Sequence, residues 1–297
     1  MESIATINVD HLIGTEVGTS TIVSELARGG MSIIFIAFQR SLKRKIAVKL
    51  LPKSLITSKT ADLFQQEAES AAILYHPNII PIYEVGETKE FLFFTMQLIT
   101  GDTLAQLIKK TKKNIIPSRR ILPVGKSLEM MIQVLDALDY AHNQDIIHRD
   151  VKPGNILLVE DVLRPVVTDF GIAKVLRNAD DTKPMIQGTP IYMAPEQVLN
   201  KGIDRRVDVY ASGVLLFQMI AETLPFPKVK STIELLKMKV KNKNCIFQKK
   251  PSELNPALHS DMDKIIFKAT ARQPKERFRN CKEFEDALKQ YQHDHIY

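Results

Sequence analysis

Residues 148–155 read H-R-D-V-K-P-G-N, and Asp169 opens a D-F-G fourteen residues after Asn155. Two carboxylates, an amide and a lysine in so short a span supply complementary chemistry. Carboxylate and amide oxygens are what a hard divalent cation prefers, with substrate phosphates completing its shell. On that reading Asn155 and Asp169 can each ligate the cation. Asp150 can take the proton of an attacking hydroxyl, and Lys152 can steady a migrating anionic group. Transfer of a phosphoryl group from ATP asks for little more, because its transition state is loose and highly anionic. Taken singly the residues have plainer readings, since a lone Asp in a loop is more often a turn former.

Residues 1–18 are polar and without clear periodicity, and read as a flexible leader. After them, Thr21–Leu26 and Ile33–Phe38 are β-rich runs separated by Ala27-Arg28-Gly29-Gly30-Met31-Ser32, a hairpin pattern. Lys45–Leu51 reads as a third strand, and strands near Ile80–Glu84 and Phe91–Gln97 complete five. Between them, residues 58–75 repeat apolar positions at three and four, and His76-Pro77 ends that helix. Beyond Gly101 the chain is mostly helical, notably over 128–143, 207–221, 262–271 and 283–291. The expected fold is α+β and bilobal: a small antiparallel β-rich lobe with one helix at 19–97, then a larger, mainly helical lobe at 98–291. Ligand sites usually lie at such a junction. The catalytic loop follows a strand-like Asp145-Ile146-Ile147.

H-R-D-V-K-P-G-N with D-F-G resembles the eukaryotic-type protein kinase family, and most resembles bacterial Ser/Thr protein kinases. The resemblance covers about residues 19–290 and implies ATP and Mg²⁺, with Mn²⁺ as a substitute. It assigns Lys49, in A-V-K, to the α- and β-phosphates and Glu67 as its ion-pair partner. Glu67 is preferred over Glu69 because it lies four residues from both Leu63 and Ala71, on one helical face. The phosphate-covering loop departs from the family pattern. G-x-G-x-x-G-x-V falls on residues 27–34, where Gly29 alone keeps its register, with Gly30 beside it. Those two can still bring backbone N–H groups close to phosphates. Ala27 and Ile34 flank them. Around adenine the resemblance places Met96 at the back pocket, backbone groups of Gln97 and Ile99 on the purine edge, and Ala47 and Leu157 on its faces.

Family likeness also gives Arg149 a regulatory part, pairing with a phosphate on the following loop. Thr182 is the candidate phosphosite, against the plain alternative of a polar loop residue. Thr189 looks like the substrate-platform residue that bonds Asp150 and Lys152 and, with Lys152, marks Ser/Thr specificity. Glu196, in A-P-E, is expected to pair with Arg277. Asp208 is expected to anchor the catalytic-loop backbone, and His148 to pack.

Bulk properties narrow the rest. No run reaches the roughly 18 apolar residues of a membrane-spanning helix, and no signal-peptide pattern leads the chain. Two cysteines without metal spacing suit a reducing cytoplasm. None of the seven histidines is expected to form a ligand cluster. The net charge of +7 is concentrated at 103–128, with seven basic residues and no acid. That stretch reads as a solvated loop with basic flanks, and without aromatic interleaving it does not suggest nucleic acid. Expected partners are proteins bearing Ser or Thr, and a second copy for autophosphorylation in trans. The chain ends shortly after the last expected helix, as a compact kinase or as the kinase segment of a longer protein. Two alternatives remain in view. A nucleotide-binding pseudokinase scaffold has only the altered glycine loop in its favour, and a small-molecule kinase would lack the platform at 188–196.

Overall fold

K-I-A-V-K-L-L forms the middle of a nine-residue strand, around which the first third of the chain folds as one antiparallel sheet. The computed structural model describes the chain except residues 1–8, 30–31, 58–60, 62–63, 66–67, 70, 117–118, 171–190, 222, 228, 242–246 and 297. It divides into two compact units, one built on residues up to Ile99, the other on Thr100–Asp169 and the described residues from Ile191 on.

In the first unit the strands are β1 (Glu16–Val17), β2 (Ser20–Arg28), β3 (Ile33–Gln39), β4 (Arg44–Pro52), β5 (Ile82–Glu87) and β6 (Phe91–Gln97), in the order β1-β2-β3-β4-β6-β5. Ile33, Phe35 and Ala37 of β3 line up through register with Ile46, Val48 and Leu50 of β4 and with Phe93 of β6, forming one apolar face. Val9, Leu12, Val17 and Ile22 are buried in the same cluster. The expected leader therefore begins the fold by Val9, and six strands replace the expected five. The reason is physical: the apolar face built from β3, β4 and β6 must be covered, and Val9, Leu12 and Val17 pack on it. Described residues between 61 and 72 are helical. Phe64 lies 5.8 Å from Phe94, ring to ring, which puts that helix on the opposite face, the one carrying Lys49.

The second unit contains, among its described residues, helices α1 (Leu104–Lys112), α2 (Val124–His142), α3 (Pro195–Leu199), α4 (Arg206–Ile220), α5 (Thr232–Lys241), α6 (Pro251–Leu254), α7 (Asp261–Ala269) and α8 (Cys281–His295). A hairpin of β7 (Ile156–Val159) and β8 (Arg164–Val167) lies between α2 and α3. Helix α4 is apolar nearly all round and buried accordingly. Gly213 lets it approach α7, since a Cβ there would stand 2.8 Å from the Ala269 Cβ. Gly101, at φ 141°, enters the unit where a Cβ would lie 2.0 Å from the Leu158 carbonyl oxygen, so only glycine fits.

Two expectations are corrected here. The basic stretch is not simply a loop: it opens with α1, whose last turn carries Lys109, Lys110 and Lys112 at the negative end of the helix dipole. Lys110 is also paired with Asp102 at 2.6 Å. Residues 145–147 form no strand; Asp145 sits at φ 60° and turns the chain sharply into the catalytic loop.

Candidate active site

Asp208, in the first turn of α4, is fully buried and organises the loop that precedes Asp150. Its Oδ1 accepts from the Arg149 amide at 2.8 Å, and its Oδ2 from the His148 amide at 2.8 Å. His142 Nε2 lies 2.7 Å from the same Oδ2. Burial alone would raise the Asp208 pKa, but the hydrogen bond and charge of His142 and the Arg149 amide together hold it below the usual aspartate value. These bonds hold Arg149 in the left-handed region, at φ 66°. A non-glycine residue there costs about 1–2 kcal/mol, so the conformation persists only where its surroundings enforce it.

The next residue is thereby aimed at its partners. Lys152 Nζ donates to Asp150 Oδ2 at 2.6 Å, and Asn155 Nδ2 donates to Asp150 O at 2.9 Å and Oδ2 at 3.1 Å. Both acceptors, on Asp150, are oxygens, so the amide orientation of Asn155 is fixed, with its side-chain Oδ1 as the atom that could meet a cation. His148 Nε2 faces the Thr168 carbonyl at 2.9 Å, and the Asp150 amide donates to His148 Nδ1 at 3.2 Å. A carbonyl only accepts, so Nε2 carries the proton. With both nitrogens engaged, His148 is a packing residue as expected.

The β7–β8 hairpin brings Asp169 into the same region. Ile156 pairs with Val167, and just beyond them the Thr168 amide donates to the Asn155 carbonyl at 3.0 Å. Asp169 follows at φ 64°, a second left-handed non-glycine residue at this end of the hairpin. Two oxygen-bearing side chains from adjoining strand ends fit a hard cation. Leu157 lies half-buried on β7, bridged to Thr103.

In the first unit, strand register tests whether the nucleotide candidates share a face. Ala27 opposes Ile34, Ile34 opposes Lys49, and Ala47 opposes Met96. Directly opposed residues point the same way, as do residues two apart. Ala27, Ile34, Ala47, Lys49 and Met96 therefore lie on one face, away from the apolar cluster. Lys49 is 7% exposed, with its Nζ 5.6 Å from the centre of the Phe94 ring. Gly29 donates its amide to the Ser32 carbonyl at 2.8 Å, closing the turn between β2 and β3. Gln97 is exposed at the end of β6, and its amide donates to Pro81 at 3.2 Å. Ile99 is half-buried just beyond. Gly30, Glu67, Thr182 and Thr189 lie outside the described residues.

Below Asp150 the unit is tied down by charge. Arg277 grips Glu196 with both of its terminal nitrogens, at 2.6 and 2.8 Å, with both side chains buried. A residue the sequence reading did not single out is Lys239 on α5, 2% exposed. Its Nζ donates to the carbonyls of Ile191 (2.5 Å) and Met193 (2.8 Å), in the segment leading to A-P-E, and lies 4.5 Å from the Phe226 ring centre. Burial, and then the Arg277 charge, hold its pKa well below the usual lysine value. The sequence signal was helical phase: Lys239 is four residues after the buried Leu235. Tyr192, in the same segment, is pinned by a hydrogen bond from its hydroxyl to Gln218.

Comparison with known proteins decides the family. Residues 20–291 match the protein kinase domain model. The chain belongs to the protein kinase domain family. Serine/threonine-protein kinase Pkn1 of Myxococcus xanthus is 31% identical over 97% of this kinase chain, and PrkC of Bacillus subtilis is 31% identical over 94%. Tyrosine-protein kinase MasK of Myxococcus xanthus is 30% identical over 94%. The chain spans 40%, 41% and 44% of these three relatives' own lengths. The crystal structure of the Mycobacterium tuberculosis PknI kinase domain superposes with a TM-score of 0.74 at 27% identity, covering 94% of this chain and 98% of that one. No helix among the described residues is long and apolar enough to cross a membrane.

Proposed function

We propose that this protein kinase domain transfers the γ-phosphate of ATP to serine and threonine hydroxyls of proteins. The observation that carries the reading is the Asp150–Lys152–Asn155 cluster, in which one carboxylate oxygen is met by an ammonium at 2.6 Å and an amide at 3.1 Å. Asp150 receives the proton of the attacking hydroxyl, while Lys152 neutralises charge on the group in flight. Asn155 and Asp169 supply oxygens to Mg²⁺, for which Mn²⁺ can substitute; the bound cation offsets the charge of the phosphates. Lys49 holds the α- and β-phosphates with Glu67 as its partner. Ala27, Gly29, Gly30 and Ile34 cover the phosphates, while Ala47, Met96, Gln97, Ile99 and Leu157 receive the base.

Thr189 serves the substrate platform. Thr182 is the regulatory phosphosite, with Arg149 as its receiver, and a second copy of the chain is its donor in trans. Arg149 Nε is buried and has no hydrogen-bond partner among the described residues, which suits that part. The working compartment is the cytoplasm, where ATP and Mg²⁺ are available. The test is a peptide library offering Ser, Thr or Tyr as sole acceptor, with Mg²⁺–ATP or Mn²⁺–ATP. Phosphate on Ser and Thr peptides, lost in Asp169→Asn, is expected. Transfer to Tyr peptides alone would overturn the proposal.

A further inference from the structure

His259, Asp261 and His295 are brought together from opposite ends of two helices, and nothing in phosphoryl transfer uses them. Asp261 opens α7, His259 lies two residues before it, and His295 ends α8. One potential ligand atom from each lies within 4.8 Å of the other two. The Asp261 Oδ2 is 3.0 Å from His259 Nδ1 and 3.4 Å from His295 Nε2. Ligands 2.0–2.1 Å from a tetrahedral zinc ion stand roughly 3.3–3.4 Å from one another, close to these separations. We infer that this cluster is a binding site for a divalent ion of the zinc class, held by two imidazoles and one carboxylate with water in the remaining position.

The surroundings prepare the ligands. Lys264 engages the other oxygen of Asp261, Oδ1, at 2.7 Å and leaves Oδ2 to the cluster. Tyr291 supports both imidazoles: its hydroxyl accepts from the His259 amide at 2.9 Å, and its ring lies 4.6 Å from that of His295. His295 also sits where the carbonyl end of α8 favours positive charge. The imidazoles now stack at 4.3 Å and 17°. Closing on an ion requires the His259 side chain, 53% exposed, to turn out of the stack and to give up the Asp261 amide that donates to its Nδ1 at 3.3 Å. Nitrogen and carboxylate donors together select zinc-class ions over Mg²⁺, so this site and the Asn155–Asp169 pair answer to different metals. An ion here would fasten the end of the last helix to the start of α7.

Calorimetric titration of the whole chain with zinc chloride tests the site, in excess Mg²⁺ and in a Cys245→Ser background that removes a competing thiol. One ion per chain is expected, binding more weakly as pH falls and protons compete for the imidazoles. His295→Ala and Asp261→Asn should each weaken binding at least about tenfold, whereas His293→Ala should not. Zinc should also raise the melting temperature of the Cys245→Ser parent but not of His295→Ala. Absence of binding, or equal affinity in parent, His295→Ala and Asp261→Asn, would overturn the site.

Discussion

Arg277 uses all five of its N–H donors inside the helical unit: Nε to Ala271 O, Nη1 to Glu196 Oε1 and Arg206 O, and Nη2 to Glu196 Oε2 and Arg272 O. Its guanidinium also lies 4.8 Å from the Tyr210 ring centre. Arg277→Met keeps much of the volume but leaves the Glu196 carboxylate, whose side chain is 9% exposed, without its counter-charge. Stranding a buried partner costs about 3–5 kcal/mol. For a unit of this size each kcal/mol lowers the melting temperature by roughly 2–4 °C, so a fall of about 6–20 °C is expected. Differential scanning calorimetry reads it directly. Adding Glu196→Gln removes the stranded charge, and the double variant should be more stable than the sum of the two single losses predicts. A fall under about 3 °C in Arg277→Met, or strict additivity in the double variant, would refute the pairing as the source of stability.

Lys239→Met removes the two donors that hold the carbonyls of Ile191 and Met193. If about 1–2 kcal/mol of platform order is lost, the KM for a peptide substrate rises roughly 5–30-fold while the KM for ATP stays put; equal change in both would deny Lys239 a positioning role. Asp208 predicts an acid-side stability slope. Its folded pKa is depressed, so its contribution is complete above the ordinary aspartate value and is lost as pH falls through the lower folded one. Chemical denaturation below about pH 4 should show wild type losing stability more steeply than Asp208→Asn, and parallel curves would count against the assignment.

Motif residues were legible because their parts are contiguous: eight positions of the catalytic loop carry the acid, the lysine and the amide in order. Legible too were strands with alternating faces and the helix now seen as α4, whose all-round apolarity could only be buried. The two longer helices missed had left signals. Thr103 and Gln106 form a reciprocal cap at the start of α1, and Ser231 Oγ accepts from the Glu234 amide at the start of α5. In α1 the lysines that follow disguised a helix as a solvated run, and α5 was given no reading at all. Val9 and Leu12 were missed because two apolar residues in a polar leader have no period to reveal them. The His259–Asp261–His295 cluster escaped spacing rules altogether, since its members meet only once α7 and α8 have packed.

The central claim rests on phosphoryl transfer through Asp150, and the most direct test is intact-mass spectrometry after incubation with ATP and Mg²⁺. The chain and a Ser/Thr-rich protein such as casein would be incubated together, beside the Asp150→Asn variant. Phosphate gained by the chain, the casein or both with wild type, and by neither with the variant, is the predicted result. No gain with wild type, or equal gain with Asp150→Asn, would contradict it.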